Sequence, residues 1–176
     1  TYARGTYTMF IDDDDTAVLQ DVGLLASQAE QAGAELVLTA FEIIDRCTGK
    51  GIDYVCERPG IYNRTQMAGE LGRLYIANLL NQCWAKLYKT DFIRKHGITF
   101  SDYRFGEDRL FIFDCLRRAE KVLVSPVRTY KYYVNTNGSL VNRFYDRKFE
   151  ACCALDAGIQ ELAEQFGAQT AENRDI

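Results

Sequence analysis

Four consecutive aspartates, Asp12 to Asp15, stand directly after the apolar, β-prone run Thr6-Tyr7-Thr8-Met9-Phe10-Ile11. Adjacent carboxylates repel one another, and they are costly to hold in one place unless a cation neutralises them. Hard oxygen ligands of this kind suit Mg²⁺ or Mn²⁺, which commonly bridge a few carboxylates to the phosphates of a substrate. A strand ending in Asp-x-Asp would hold such an ion at the carboxyl edge of a sheet, where open α/β folds place their ligands. The same run also reads as a solvated acidic loop or a helix N-terminus, because aspartate favours caps and first turns.

The apolar spacing of Val18, Leu19, Val22, Leu25, Ala26 and Ala29 predicts a helix over 16–32 that ends before Gly33. Residues 35–44 read as a strand, 46–50 as a turn loosened by Gly49 and Gly51, and 52–57 as its hairpin partner, closed by Pro59-Gly60. A helix is expected over 65–80, capped by Asn63 or Thr65 and weakened by Gly69 and Gly72. A short helix should run from Thr90 or Asp91 to Lys95, an extended stretch over 98–100, and a buried helix over 107–118 with Arg117 and Arg118 near its C-terminal dipole. Residues 122–124 and 128–134 read as strands around Pro126, 135–139 as a polar loop, and 146–166 as an amphipathic helix. No repeat, low-complexity tract or linker interrupts the pattern. The expectation is one α/β domain over 1–176, a mixed sheet flanked by helices, with 146–176 as a C-terminal helical segment.

A chain of 176 residues with 47% hydrophobic content can bury a substantial core. Its net charge of -4, with no basic block, excludes nucleic acid as an expected partner. The six cysteines follow no zinc-ligand spacing, and no secretory signal precedes them, so they read as reduced thiols, most of them core fillers. No apolar stretch is long enough to span a bilayer, so any membrane contact should be peripheral. His96, the lone histidine, sits beside Gly97 and reads as a dipole partner at a helix end. The chain starts without Met a few residues before an apparent core strand, which suggests truncation at the N-terminus.

A second acidic feature is Phe105-Gly106-Glu107-Asp108-Arg109-Leu110-Phe111. Carboxylates at a helix start often serve only as caps or dipole partners. One placed there can instead act as a general base, taking a proton from a hydroxyl nucleophile while a metal stabilises a departing phosphate.

Taken together, several blocks resemble the family 2 inverting glycosyltransferases with the GT-A fold. They are Ala3-x-Gly5-x-Tyr7-x-x-Phe10-x-Asp12-x-Asp14-Asp15, Trp84-x-Lys86-Leu87-Tyr88, Phe92-Ile93, Gly97-Ile98-x-Phe100, Glu107-Asp108-x-x-Phe111, Tyr130-x-Tyr132-Tyr133 and Gly138-Ser139-Leu140. Their order and spacing match over about residues 3 to 145, and it is the succession of blocks that is specific. The resemblance implies an enzyme of surface polysaccharide or glycolipid synthesis. Such an enzyme moves a sugar from a UDP- or GDP-sugar donor to a glycan or lipid-linked acceptor, with Mn²⁺ or Mg²⁺, in the cytoplasm at or near the inner membrane face. By position it makes Asp12 and Asp14 the metal ligands, Asp13 and Asp15 donor-side residues, and Asp108 the base. Trp84, Lys86 and Glu107 fall on the acceptor side. Such enzymes also carry earlier strands that bind the nucleobase and ribose; this sequence has no counterpart of them.

Two other readings stay open. Phe10-Ile11-Asp12-x-Asp14-x-Thr16 also resembles the first motif of haloacid-dehalogenase-type phosphatases, with Asp12 as nucleophile and Asp14 as acid/base. There Asp15 replaces the usual glycine, and Thr39 follows too closely for their second motif. The chain also reads as a binding module whose acidic loops hold a cation without turnover. Tyr130, Tyr132 and Tyr133 read mainly as sheet packing, and Trp84 also reads as a plain core residue.

Overall fold

The computed structural model describes residues 3–134 and 146–167, so the polar loop expected over 135–139 and the Gly138-Ser139-Leu140 block lie outside the described residues. The described elements, in chain order, are β1 (Tyr7–Thr8), β2 (Thr16–Ala17), α1 (Val22–Ala32), β3 (Leu36–Asp45), β4 (Gly51–Tyr54), β5 (Gly60–Asn63), α2 (Arg64–Ile76), β6 (Lys86–Lys89), α3 (Thr90–His96), α4 (Glu107–Arg118), β7 (Lys121–Val134) and α5 (Lys148–Gln165). The strands form a mixed sheet in the order β1-β6-β3-β7-β2, with β4 added to β3 and β5 to β7. Its centre is the parallel pair β3–β7; the other pairings are antiparallel.

Side chains alternate across this sheet with period two, and each face carries its own apolar layer. Leu36, Leu38, Phe41, Tyr88, Val122, Val124 and Tyr130 join the apolar residues of α2, α4 and α5 in the larger cluster. Val37, Leu87 and Leu123 face the other way, onto Leu25 and Ala29 of α1. Burying a side chain such as Leu36 or Phe41, each no more than 1% exposed, contributes about 1.5–3 kcal/mol.

Local chemistry set several elements where the spacing had them. Asn63 caps α2 in a reciprocal capping box with Gln66. Gly97, at φ 60°, closes α3 directly after His96, whose ring lies 5.0 Å from Phe92. The helix over 107–118 forms with those bounds.

Elsewhere pairing overrode local pattern. Residues 16–17 are strand rather than helix, because Thr16 and Ala17 pair with Lys131 and Tyr130 and the Val18 N–H bonds the Thr129 carbonyl at 2.8 Å. The strand expected over 6–11 pairs only at Tyr7 and Thr8. β5 and β6 went unpredicted, each four residues long and defined by its partner. Residues 98–100 join no strand, and α2 stops at Ile76 instead of Leu80. The two strands expected around Pro126 form one strand, β7, whose register jumps from Leu38↔Val124 to Ala40↔Arg128. Ser125-Pro126-Val127 bulges out there, as suits a residue with no N–H to give the ladder.

All six cysteines are free; Cys56, Cys83 and Cys115 are buried, but Cys47, Cys152 and Cys153 are exposed, so core filling accounts for only half of them. Among the described residues, no helix is long and apolar enough to cross a membrane.

Candidate active site at the carboxyl ends of the parallel strands

The aspartates form a tight turn in which the Asp15 N–H reaches the Asp12 carbonyl at 3.3 Å. This turn is docked on β7. The Tyr130 hydroxyl accepts the Asp12 N–H at 2.9 Å and donates to Asp15 Oδ2 at 3.0 Å, while Asp15 Oδ1 accepts the Tyr133 N–H at 2.9 Å. Arg46, the first residue after β3, donates to the Asp14 carbonyl and lies 5.0 Å from the Tyr133 ring centre. The acidic run therefore sits beside the carboxyl ends of both parallel strands, as the α/β rule requires. Tertiary bonds hold it there instead of a long strand of its own.

Asp15 spends both carboxylate oxygens on the turn, whereas Asp12, Asp13 and Asp14 are exposed. The Asp12 carboxyl is held above its ordinary range, first by partial burial and then by the charges of Asp15, Asp108, Asp14 and Asp13. Burial also raises Asp15, against its bonds from Tyr133 and Tyr130. Among the described residues, no three His, Cys, Asp or Glu side chains converge as a protein-only metal cage. Mg²⁺-type sites seldom use one; they take one or two carboxylates plus substrate oxygens. Among the described residues the Asp12 and Asp14 carboxylates have no side-chain partner, and they fit a cation shared in that way.

The raised Asp12 carboxyl has a consequence for stability. A carboxyl whose folded pKa lies above its unfolded value adds stability that is fully present below the unfolded pKa and lost as pH rises through the folded one. Asp12→Asn should therefore raise the Tm at pH 7. Repulsion at an exposed turn is worth about 0.2–1 kcal/mol after screening, or roughly 1–3 °C here. The gain should vanish below about pH 4, where the aspartate is neutral in both states. Thermal melts at pH 7 and pH 3.5 check this; a variant no more stable than the parent at pH 7 would contradict the charge argument.

The second acidic feature is placed by Gly106, at φ 73°, where an added Cβ would meet Leu155 Cδ1 at 2.6 Å. This turn opens α4, with Glu107 and Asp108 half-buried in its first turn. Asp108 Oδ2 accepts the Cys83 N–H at 3.2 Å.

The backbone from Cys83 to Ala85 is held at each carbonyl. The Tyr88 hydroxyl donates to Cys83 O at 2.7 Å, Lys86 Nζ to Trp84 O at 3.2 Å, and Thr39 Oγ1 to Ala85 O at 2.7 Å. The Thr39 hydroxyl is itself 2.5 Å from Thr129 Oγ1. Ala85 sits at φ 54°, a left-handed conformation that an alanine keeps only where its surroundings over-determine it, as they do at functional sites.

Trp84 is 7% exposed, stacked at 4.5 Å on Tyr130 and 5.2 Å on Tyr132, with Phe41 edge-on at 4.9 Å. Lys86, expected to line the acceptor side, is 1% exposed and reaches no solvent. Burial lowers its amine to about 7, against the pull of the nearby Asp108 charge. Its position follows from period two in β6: Tyr88 and Lys86 share the face turned to the larger core, and Leu87 takes the other.

The two acidic features act on one another electrostatically: the Asp108 charge adds to the rise of Asp12, and the charges of both add to burial in raising the Cys83 thiol. Sequence reasoning found the aspartates but missed three parts that hold them: the Tyr130 hydroxyl, the Tyr133 N–H and Arg46. The tyrosine block was the only signal for the first two, and sheet packing explained it equally well. Packing is indeed what the Tyr130 ring does, and its hydroxyl does the rest. A surface cleft of about 280 Å³ between Val55–Arg58 and α2 lies apart from this site and holds none of the expected residues.

No protein-family model matches the chain. It is 29% identical over 141 residues to the uncharacterized glycosyltransferase EpsJ of Bacillus subtilis (strain 168), an alignment that covers 77% of this chain and 40% of that protein. S. aureus TarS 1-349 in complex with UDP-GlcNAc superposes with a TM-score of 0.65 at 15% identity, over 97% of this chain and 45% of that one. The complex of TarS 1-349 with UDP gives a TM-score of 0.63 at 15% identity, over 93% of this chain and 46% of that one. This chain shares the fold of the part of TarS on which it superposes. The expected mixed sheet flanked by helices is the architecture observed, and the chain spans 40% of the length of the curated relative that it matches.

Proposed function

We propose that the chain is the metal- and acceptor-binding portion of an inverting glycosyltransferase of family 2, GT-A type, acting in surface polysaccharide or glycolipid synthesis. The observation that carries this reading is the Asp12–Asp15 turn docked at the end of β7, with Asp108 close enough for its charge to act on Asp12. Inversion by direct displacement needs a base on one side of the anomeric carbon and charge neutralisation at the leaving diphosphate on the other. Asp108, fixed by the Cys83 N–H, takes the proton from the attacking acceptor hydroxyl. Asp12 and Asp14 would hold Mn²⁺ or Mg²⁺, and the cation would offset the charge that develops on the diphosphate. Asp13 is exposed and free to meet the donor, while Asp15 serves the donor side by holding the turn. Glu107 opens α4 beside the base and faces the acceptor; Trp84 and Lys86 shape that side from beneath.

The glycosyltransferase name of EpsJ supports the reaction class, and TarS bound to UDP-GlcNAc supports a UDP-sugar as the donor. A lipid-linked acceptor would bring the chain to the inner membrane face by peripheral contact. The phosphatase alternative draws no support from these relatives, and it requires an acyl-phosphate on Asp12 that a transferase never forms.

A thermal-shift screen with UDP- and GDP-sugars, with and without Mn²⁺, tests the proposal on this chain and on Asp14→Ala. A UDP-sugar at a hundred times its Kd stabilises by about 2.7 kcal/mol, or roughly 5–11 °C for a chain of this size. The shift should need Mn²⁺ and disappear in the variant. Metal binding with no nucleotide effect would favour the binding module instead.

A further inference from the structure

We infer that Tyr130 is a positioning residue that ties the acidic turn and the Asp108-bearing start of α4 into one unit. Its functional meaning rests on the transferase reading; its structural content does not. The hydroxyl is fully used, accepting the Asp12 N–H and donating to Asp15 Oδ2. The backbone has no freedom to drift, because Tyr130 pairs with Ala17 of β2 on one side and Phe41 of β3 on the other.

The ring extends the connection. Trp84 lies on it at 4.5 Å with an interplanar angle of 9°, and the residue before Trp84 supplies the N–H that holds Asp108. The route from turn to base is therefore Asp12 and Asp15, the Tyr130 hydroxyl, the stacked rings, the Cys83 amide and Asp108. Every link is a hydrogen bond, a ring stack or a covalent bond. A displacement reaction needs its base and its charge-neutralising carboxylates on opposite sides of one carbon, within about half an ångström of the productive geometry. A rigid bridge between them meets that need. Phenylalanine would keep the ring and the strand, yet leave the Asp12 N–H and Asp15 Oδ2 without their partner, so the ring loses its tether to the turn and its stack on Trp84 loosens. Tyr132 also stacks on Trp84, and among the described residues its hydroxyl makes no bond to the turn, so Tyr132→Phe controls for losing a hydroxyl elsewhere on the same stack.

Site-resolved amide hydrogen exchange on the whole chain, without metal or donor, decides the matter. Tyr130→Phe and Tyr132→Phe are compared with the parent, and protection is read relative to the core amides of β3 so that a general loss of stability cancels. In Tyr130→Phe, protection at Asp12 and Tyr133 should fall about tenfold, as the loss of a hydrogen bond worth about 1–1.5 kcal/mol implies. Protection at Cys83 should fall at least about threefold with them. Tyr132→Phe should leave all three within about twofold of the parent. A Cys83 amide unchanged in Tyr130→Phe, or equally affected by Tyr132→Phe, would overturn the inference. The donor thermal shift on the parent reads the transferase proposal separately. A chain with the expected exchange pattern and no donor shift would keep this coupling and lose the transferase.

Discussion

Asp108→Asn should lower the rate of sugar transfer by about 10²–10⁴-fold, the range that a positioned general base supplies. The substitution keeps the shape of the side chain and an oxygen that can accept the Cys83 N–H at the opening of α4. The variant should therefore fold, with a Tm within about 2 °C of the parent, since surface-accessible isosteric changes rarely exceed about 0.5 kcal/mol. Donor-induced stabilisation should persist, because the base acts on the acceptor. Initial rates and donor thermal shifts on the same preparation separate the two. A variant that transfers sugar at the parental rate would remove Asp108 from the chemistry; one that fails to bind donor would make it part of the acidic turn's work.

Lys86→Met should make the protein more stable and a poorer enzyme. The amine is 1% exposed and burial lowers it from 10.5 to about 7. A lysine whose folded pKa is depressed is charged in the unfolded chain and resisted in the folded one. Its penalty is complete below the folded pKa, and it is relieved as pH rises from about 7 towards 10.5. Each tenfold loss of proton affinity on folding costs about 1.36 kcal/mol, so the full penalty is on the order of 4–5 kcal/mol. Methionine fills similar volume and removes the charge, but leaves the Trp84 carbonyl without its Nζ donor, a loss of about 1–3 kcal/mol. The balance is a gain of about 2 kcal/mol at pH 6, or roughly 4–8 °C in Tm, shrinking as the pH is raised past 7. Denaturant unfolding at pH 6 and pH 9 reads this, and a variant less stable than the parent at pH 6 would refute it. Transfer should fall at the same time, because Nζ fixes the backbone that carries Trp84 beside Asp108. A buried amine kept at a cost in stability is the stability–activity compromise that the proposed transferase role explains.

How much of this was legible in advance depends on the range of the forces involved. Asn63 with Gln66, His96 before Gly97, and Gly106 before Glu107 and Asp108 are contacts within a few residues, and the starts of α2 and α4 and the end of α3 followed closely from them. The apolar run that became β3 needed no partner to be recognised. Thr16 and Ala17 carried a helical pattern and became strand, because the open edge of β7 offered hydrogen bonds that a local helix start could not match. β5 and β6 are too short to have a signature of their own.

The candidate site divides in the same way. Residue chemistry alone determined that two acidic features existed and which carboxylates they contained, and it left open whether they act as caps and solvated loops or as a base and a cation site. Tertiary structure decided that the Asp108 charge reaches Asp12, that Asp15 holds the turn while Asp12 and Asp14 face outward, that Lys86 is buried, and that the Tyr130 hydroxyl bridges the turn. The physical reason is that propensity and capping act between neighbours along the chain. Burial, ring stacking and the mutual repulsion of carboxylates depend on distances that only the packed sheet brings about.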